Sequence, residues 1–308
     1  MTSAPDSPAP DFLPPGSPPL PSPSLFTASD GYRHAWRLWE TSGRPRGLVI
    51  ALHGIQSHSG WYGWSADQLA RRGYLVAYLD RRGSGLNEVA RGDAPQAERL
   101  LNDVVQFTQF LRRQGWDDLP RFLLGVSWGG KLATYAATRY PDLFQGVILQ
   151  APGLRPRIRA RFWQRWLISA ASQSNRREHR IDIPLDDPQL FADRPEFQDF
   201  VARDPLALRQ VTVRFLQASG RIDRELNWHR SRTGLVSWST PMLLMLAGKD
   251  PIIDNERTQI TLMRRQPRAI SSIVYPEACH TLEFSQQREQ ILVDMLGWLH
   301  AAVESHSR

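Results

Sequence analysis

Phe122-Leu-Leu-Gly125-Val-Ser127-Trp-Gly129-Gly130-Lys131-Leu-Ala-Thr-Tyr-Ala-Ala137 decides how the rest of the chain is read. Its first residues form a short apolar run suited to a buried strand, and the residues after the glycine pair suit a helix. Between them, Gly-x-Ser-x-Gly places Ser127 on a tight strand-to-helix turn. Glycine two residues before and two after the serine removes the Cβ atoms that would block so close a crossing. A serine held this way is exposed and under backbone strain. It also lies beside the free N–H groups of a helix N-terminus, which suit a developing oxyanion. Ser127 is thus a candidate nucleophile, and it requires strand–helix architecture around it.

That architecture recurs outward. Gly47–Leu52, Tyr74–Leu79, Val147–Leu149 and Met242–Leu246 are continuous apolar runs, as expected of strands buried on both faces. Leu25–Ala28 and Tyr32–Trp39 flank a Ser-Asp-Gly turn and read as a hairpin. In 96–113, Leu100, Val104, Phe107 and Leu111 recur at helical spacing, and Ile291–Val303 reads as a last helix. Strands alternating with helices predict an α/β fold, a mostly parallel central sheet with helices on both faces. Between Gly153 and Trp238 the alternation stops, which predicts a helical cap inserted at about 153–236 into a domain spanning 25–303. Residues 1–24 carry nine prolines among the first 23 positions and read as a disordered tail, and 304–308 as a second short tail.

Composition excludes several classes. Among 308 residues, 41% are hydrophobic, enough for a sizeable core, and no apolar run approaches the roughly 18 residues of a membrane-spanning helix. The single cysteine, Cys279, closes no intrachain disulfide. The N-terminus has neither a basic start nor an apolar stretch, so a cytoplasmic location is expected. The net charge of +7 comes almost wholly from arginines, since lysine occurs only at Lys131 and Lys249. They are spread along the chain without a nucleic-acid motif, so no nucleic-acid partner is expected.

An elbow serine needs a base and an orienting acid further along the chain. His300 falls in the last helix and His306 in the terminal tail, which leaves His280 in the loop Pro276-Glu-Ala-Cys-His280-Thr after a strand-like Ser272–Tyr275. For the acid, Asp250 follows the strand Met242–Leu246, and Pro251 biases it to an extended conformation. Asp254 better suits an N-cap for a helix beginning at Asn255. Asp250 is preferred. The loop His53-Gly-Ile-Gln-Ser-His58 follows another strand end, so the backbone N–H groups of Ile55 and Trp128 are candidate oxyanion donors. A metal pair of His53 and His58 is rejected for want of neighbouring acids in sequence, and a Cys279–His280 dyad because adjacent residues seldom face each other. Neither a metal nor an organic cofactor is expected.

Four motifs in order resemble the α/β-hydrolases of the monoacylglycerol lipase, lysophospholipase and serine aminopeptidase S33 type. They are His53-Gly54 with His58-Ser-Gly-Trp-Tyr62, Asp80-Arg-Arg-Gly83-Ser-Gly85, the Ser127 elbow, and Gly248-Lys-Asp250 followed by His280. The resemblance spans about residues 25–303. It implies Ser127 as nucleophile, Asp250 as acid, His280 as base, Ile55 and Trp128 as oxyanion donors, and a lid over roughly 153–236. The implied activity is hydrolysis of a small-molecule acyl ester or lipid, with monoacylglycerol or lysophospholipid as first substrate. The chain departs from such enzymes at Ile55-Gln56-Ser57, at Ser84, and at Val126 and Trp128, where the indole stands to narrow an acyl pocket.

Two rivals share these residues. A proline-type aminopeptidase would need an acidic anchor for the substrate amine, with Asp186, Asp187, Asp193 and Glu196 available. A non-catalytic binding protein on the same fold would be expected to have lost part of the Ser127, Asp250 and His280 set. In Arg155–Trp166, helical spacing puts Ile158, Phe162 and Trp166 on one face and Arg157, Arg161 and Arg165 on its neighbour. Such a helix covers a site with its apolar side, or makes weak contact with a lipid surface.

Overall fold

The computed structural model describes residues 12–158, 175–228, 240–264 and 269–306. Strands β1 (Ser24–Thr27) and β2 (Arg33–Trp39) form the hairpin announced by the Ser-Asp-Gly turn. The alternation then runs β3 (Gly47–Leu52), α1 (Gly63–Ala70), β4 (Tyr74–Leu79), α2 (Ala97–Leu111), β5 (Arg121–Val126), α3 (Trp128–Arg139) and β6 (Gly146–Gln150). Next comes a segment away from the sheet, with β7 (Arg180–Asp182), α4 (Pro195–Arg203), β8 (Gln210–Thr212) and α5 (Val213–Trp228). The chain returns as β9 (Met242–Ala247), α6 (Asn255–Met263), β10 (Ile270–Tyr275) and α7 (Arg288–His306).

Eight strands form one sheet in the order β1-β2-β4-β3-β5-β6-β9-β10. Only the β1–β2 and β2–β4 pairings are antiparallel. The strands that read as unbroken apolar runs, β3, β4, β6 and β9, are buried at every position. Side chains show which helix covers which face. Tyr74 and Tyr78 of β4 meet His300 of α7 and Tyr62 at the start of α1. Trp36, paired with Leu79 on the opposite face, meets Phe107 of α2. On α2 the expected stripe of Leu100, Val104, Phe107 and Leu111 is at most 1% exposed. Each such side chain removed from water contributes about 1.5–3 kcal/mol, which makes this stripe the main hold of α2 on the sheet.

Three expectations are corrected. The insertion between β6 and β9 is not wholly helical: β7 and β8 pair as an antiparallel ribbon, too short at three residues each for a periodic signal. Arg155–Ile158 does not begin a helix. Pro156 bridges to Ile253, Arg157 N–H donates to the Ile252 carbonyl at 2.7 Å and Asp254 N–H to the Arg155 carbonyl at 2.8 Å, so these residues pair with the loop after β9 instead of coiling. The remainder of that stretch, with Phe162 and Trp166, lies outside the described residues.

The proline segment, too, is no free tether where it is described. Phe12 stacks on Phe200 of α4 at 5.3 Å, Leu20 packs on the core, and Arg37 donates to the Pro21 carbonyl. A run with few hydrogen bonds of its own gains order by burying these apolar groups.

Candidate active site

At the end of β5 the backbone turns at Ser127 with φ 51° and ψ −117°, a conformation costing a non-glycine residue about 1–3 kcal/mol. Hydrogen bonds hold it there. Ser127 N–H donates to the Gln150 carbonyl at 2.9 Å, and the Ser127 carbonyl accepts from Gly153 at 2.7 Å and Gly130 at 2.9 Å. The expected role of Gly125 is geometric: a Cβ there would meet Ala133 Cβ and Gly130 Cα, both at 2.7 Å. Strain is thus concentrated on the residue whose hydroxyl stands free of the helix, since the Ser127 side chain makes no capping bond.

The structure brings Ser127, His280 and Asp250 together from three strand ends. Ser127 Oγ lies 2.9 Å from His280 Nε2, and His280 Nδ1 lies 2.8 Å from Asp250 Oδ2. The other carboxylate oxygen of Asp250 accepts the N–H groups of Ile252 and Ile253 at 2.8 and 2.9 Å, so both oxygens of the acid are engaged. An ionised Asp250 can only accept, which puts the ring proton of His280 on Nδ1 and leaves Nε2 to receive a proton from Ser127. The histidine is 3% exposed and backed by Phe191 at 6.1 Å, with Thr281 N–H bonded to the Phe191 carbonyl. Asp254 instead caps α6 through Arg257 N–H, and His300 stacks on Tyr74 from α7, so neither competes for the site. The side chain of His306 lies outside the described residues.

The loop after β3 approaches the serine closely, since a Cβ on Gly54 would stand 3.4 Å from Ser127 Cβ. His53 fixes its backbone. Arg81 N–H donates to His53 Nε2 at 2.9 Å, so the ring proton is on Nδ1, 2.7 Å from the Gly54 carbonyl. In a trans peptide this turns the Ile55 N–H the opposite way from that carbonyl. Burial pushes the His53 pKa down to about 3, so the ring stays neutral. His58 lacks acids nearby in sequence but finds one in space. Its Nε2 lies 3.0 Å from Asp204, which also accepts from Trp61 Nε1 at 2.6 Å. Burial alone would raise the Asp204 pKa, but these donors outweigh it and lower the value. Among the described residues no three His, Cys, Asp or Glu side chains cluster as metal ligands would. Trp128 is held by the inserted segment. Its indole is 6% exposed, packs on Phe215 of α5 at 5.1 Å and donates to Ser219 at 3.0 Å.

The family described as serine aminopeptidase, S33, matches residues 43–287. The chain belongs to that family of α/β-hydrolases. Among curated proteins, this S33 hydrolase is 27% identical to the human (Homo sapiens) monoglyceride lipase over 84% of this chain and 83% of that one. It is 23% identical to the monoacylglycerol lipase of Mycolicibacterium smegmatis, covering 89% and 95%. A solved soluble variant of the Saccharomyces cerevisiae monoglyceride lipase superposes with a TM-score of 0.83 at 19% identity, over 96% of this chain and 99% of that one. No described helix of the S33 hydrolase is long and apolar enough to cross a membrane.

Sequence reasoning passed over Glu283, three residues after His280. Its Oε1 accepts the Ser65 N–H at 3.0 Å in the first turn of α1, tying the histidine loop to that helix. Burial raises its pKa from 4.5 to about 7, against the opposing pull of Ser65. The folded S33 hydrolase therefore holds this proton more tightly than the unfolded chain does. The resulting stability is fully present below pH 4.5 and is lost as pH rises through about 7. Glu283→Gln keeps an acceptor and removes the titration. The melting temperature of the variant minus that of the parent should climb between pH 4.5 and 7 and level off above about 8. A difference independent of pH would show that Glu283 is not held in a raised-pKa site.

Proposed function

We propose that this S33 hydrolase cleaves carboxylic esters through an acyl-enzyme on Ser127, with monoacylglycerol or lysophospholipid as its substrate class. The observation that carries the reading is the unbroken relay from Ser127 Oγ through His280 to Asp250, with contacts of 2.9 and 2.8 Å. In the first half-reaction the Ser127 Oγ–C bond forms while the Oγ–H proton passes to His280 Nε2. Asp250 stabilises the imidazolium without taking its proton. The backbone N–H groups of Ile55 and Trp128 hold the oxyanion. His280 then gives its proton to the leaving alcohol as the ester C–O bond breaks. Water attacks the acyl-enzyme by the same route, and Ser127 regains its proton.

Substrate class rests on the relatives, which are named as monoglyceride lipases, and on the surroundings of the relay. A peptide amine would need a sheltered acid, yet Asp186, Asp187, Asp193 and Glu196 are all exposed. Asp187 is occupied as the cap of a short turn and Glu196 pairs with Arg194. Monoacylglycerols, lysophospholipids and a proline anilide assayed side by side test the reading. At least one ester should exceed the anilide about 100-fold or more in kcat/KM. A proline anilide turned over faster than every ester would replace this reading with the peptidase one.

A further inference from the structure

Two arginines follow Asp80, and the structure treats them oppositely. Arg82 is fully compensated, bonded to Asp103 at 2.8 Å and Asp30 at 2.9 Å beneath the Tyr32 ring. Arg81 is 4% exposed and has no carboxylate within ion-pair distance among the described residues. Its guanidinium donates to the Ile55 carbonyl at 3.0 Å and the Arg82 carbonyl at 3.3 Å, while Nε has no partner. It also lies 4.9 Å from the ring of Trp128 and 4.9 Å from that of Phe215, which touch each other. Burial lowers its pKa to about 9, so the cation persists at neutral pH. An apolar side chain would fill this space without the cost of burying a charge, so the position calls for a reason beyond packing.

The reason lies in the two peptide units that flank Ile55. The Gly54–Ile55 unit is fixed by His53 Nδ1–H, and His53 itself is fixed by the Arg81 backbone N–H. The Ile55–Gln56 unit is fixed at its carbonyl by the Arg81 guanidinium. One residue therefore pins both sides of Ile55, by main chain and side chain. The same guanidinium rests on the ring of Trp128, whose backbone N–H is the other candidate donor. Rigid placement of donors matters because their energy is realised only at the position where charge develops.

We propose that Arg81 is a positioning residue for oxyanion stabilisation, its guanidinium holding Ile55 and Trp128 as one rigid pair against Phe215 of the inserted segment. This rests on the acyl-enzyme reading of Ser127. The test compares Arg81→Met and Arg81→Lys with the parent on p-nitrophenyl butyrate, with Ser127→Ala alongside and rates normalised to folded protein. Arg81→Met should lose about 10–100-fold in kcat while KM stays within about twofold, and fluorophosphonate labelling of Ser127 should slow by the same factor. Arg81→Lys, which keeps the charge and a hydrogen-bond donor group but not the planar fork, should recover part of the loss. A kcat within about twofold of the parent in folded Arg81→Met, or a loss confined to KM, overturns the proposal. Should Arg81→Met not fold, Arg81→Lys decides: an ammonium lacks the planar fork that bonds the Ile55 carbonyl while lying against the Trp128 ring, so kcat at the parent value overturns it. Full hydrolysis by Ser127→Ala would remove the nucleophile, and the role of Arg81 with it.

Discussion

Ser127→Ala should lower turnover of p-nitrophenyl butyrate by about 10³-fold or more and leave the melting temperature within a few degrees. The two halves of that expectation come from the same turn. Ser127 holds its strained conformation through main-chain bonds to Gln150, Gly153 and Gly130, and alanine retains all of them. The hydroxyl caps nothing in α3, so its removal costs the helix no cap. What is lost is the contact with His280 Nε2 at 2.9 Å and, with it, the oxygen proposed to form the acyl bond. A fluorophosphonate should label the folded parent at Ser127 and leave the alanine variant unmodified. Unchanged turnover with labelling elsewhere would remove Ser127 from the mechanism and leave the elbow as a structural turn.

What could be read from the chain depended on the range of the contact. Strands β3, β4, β6 and β9 were legible because burial on both faces writes itself as an unbroken apolar run. The stripe of α2 was legible because its residues recur at helical spacing. The surroundings of Ser127, Asp250 and His280 were legible because each is framed by a strand end within a few residues. Contacts that cross the chain left no local mark. His58 meets Asp204 across 146 positions, and Trp128 meets Ser219 across 91. The docking of Phe12 on Phe200 was hidden for the same reason, and the ribbon of β7 and β8 because strands of three residues carry no periodic signal.

These long-range contacts share a pattern that bears on the site. The segment between β6 and β9 grips each loop that carries a candidate functional group. Leu208 N–H donates to the Gln56 carbonyl at 2.8 Å, Thr281 N–H to the Phe191 carbonyl at 3.0 Å, and Trp128 to Ser219 at 3.0 Å. Lys131, one turn into α3, pairs with Asp223 of α5 at 2.8 Å. The described part of the segment thus links the β3 loop, the elbow and the histidine loop to one body. Substitutions in it are expected to act on the site through these bonds, even where they touch no substrate.

Asp250→Asn should cut kcat by about 10³–10⁴ at neutral pH with little change in KM. The carboxylate accepts three donors, Ile252 and Ile253 N–H on Oδ1 and His280 Nδ1–H on Oδ2. An asparagine has one oxygen for them. If its NH2 faced the two buried backbone donors, each would be left unsatisfied at about 1–3 kcal/mol. The oxygen therefore stays on Ile252 and Ile253, and the NH2 faces His280. A donor there requires Nδ1 to accept, so the ring proton moves to Nε2, where it points at Ser127 and blocks transfer from the hydroxyl. Because the backbone bonds survive, the fold should melt close to the parent. Asp250→Ala, which abandons those bonds as well, should lose both activity and stability. A kcat of Asp250→Asn within about tenfold of the parent would show that Asp250 does not set the histidine tautomer, and the relay would reduce to Ser127 and His280 alone.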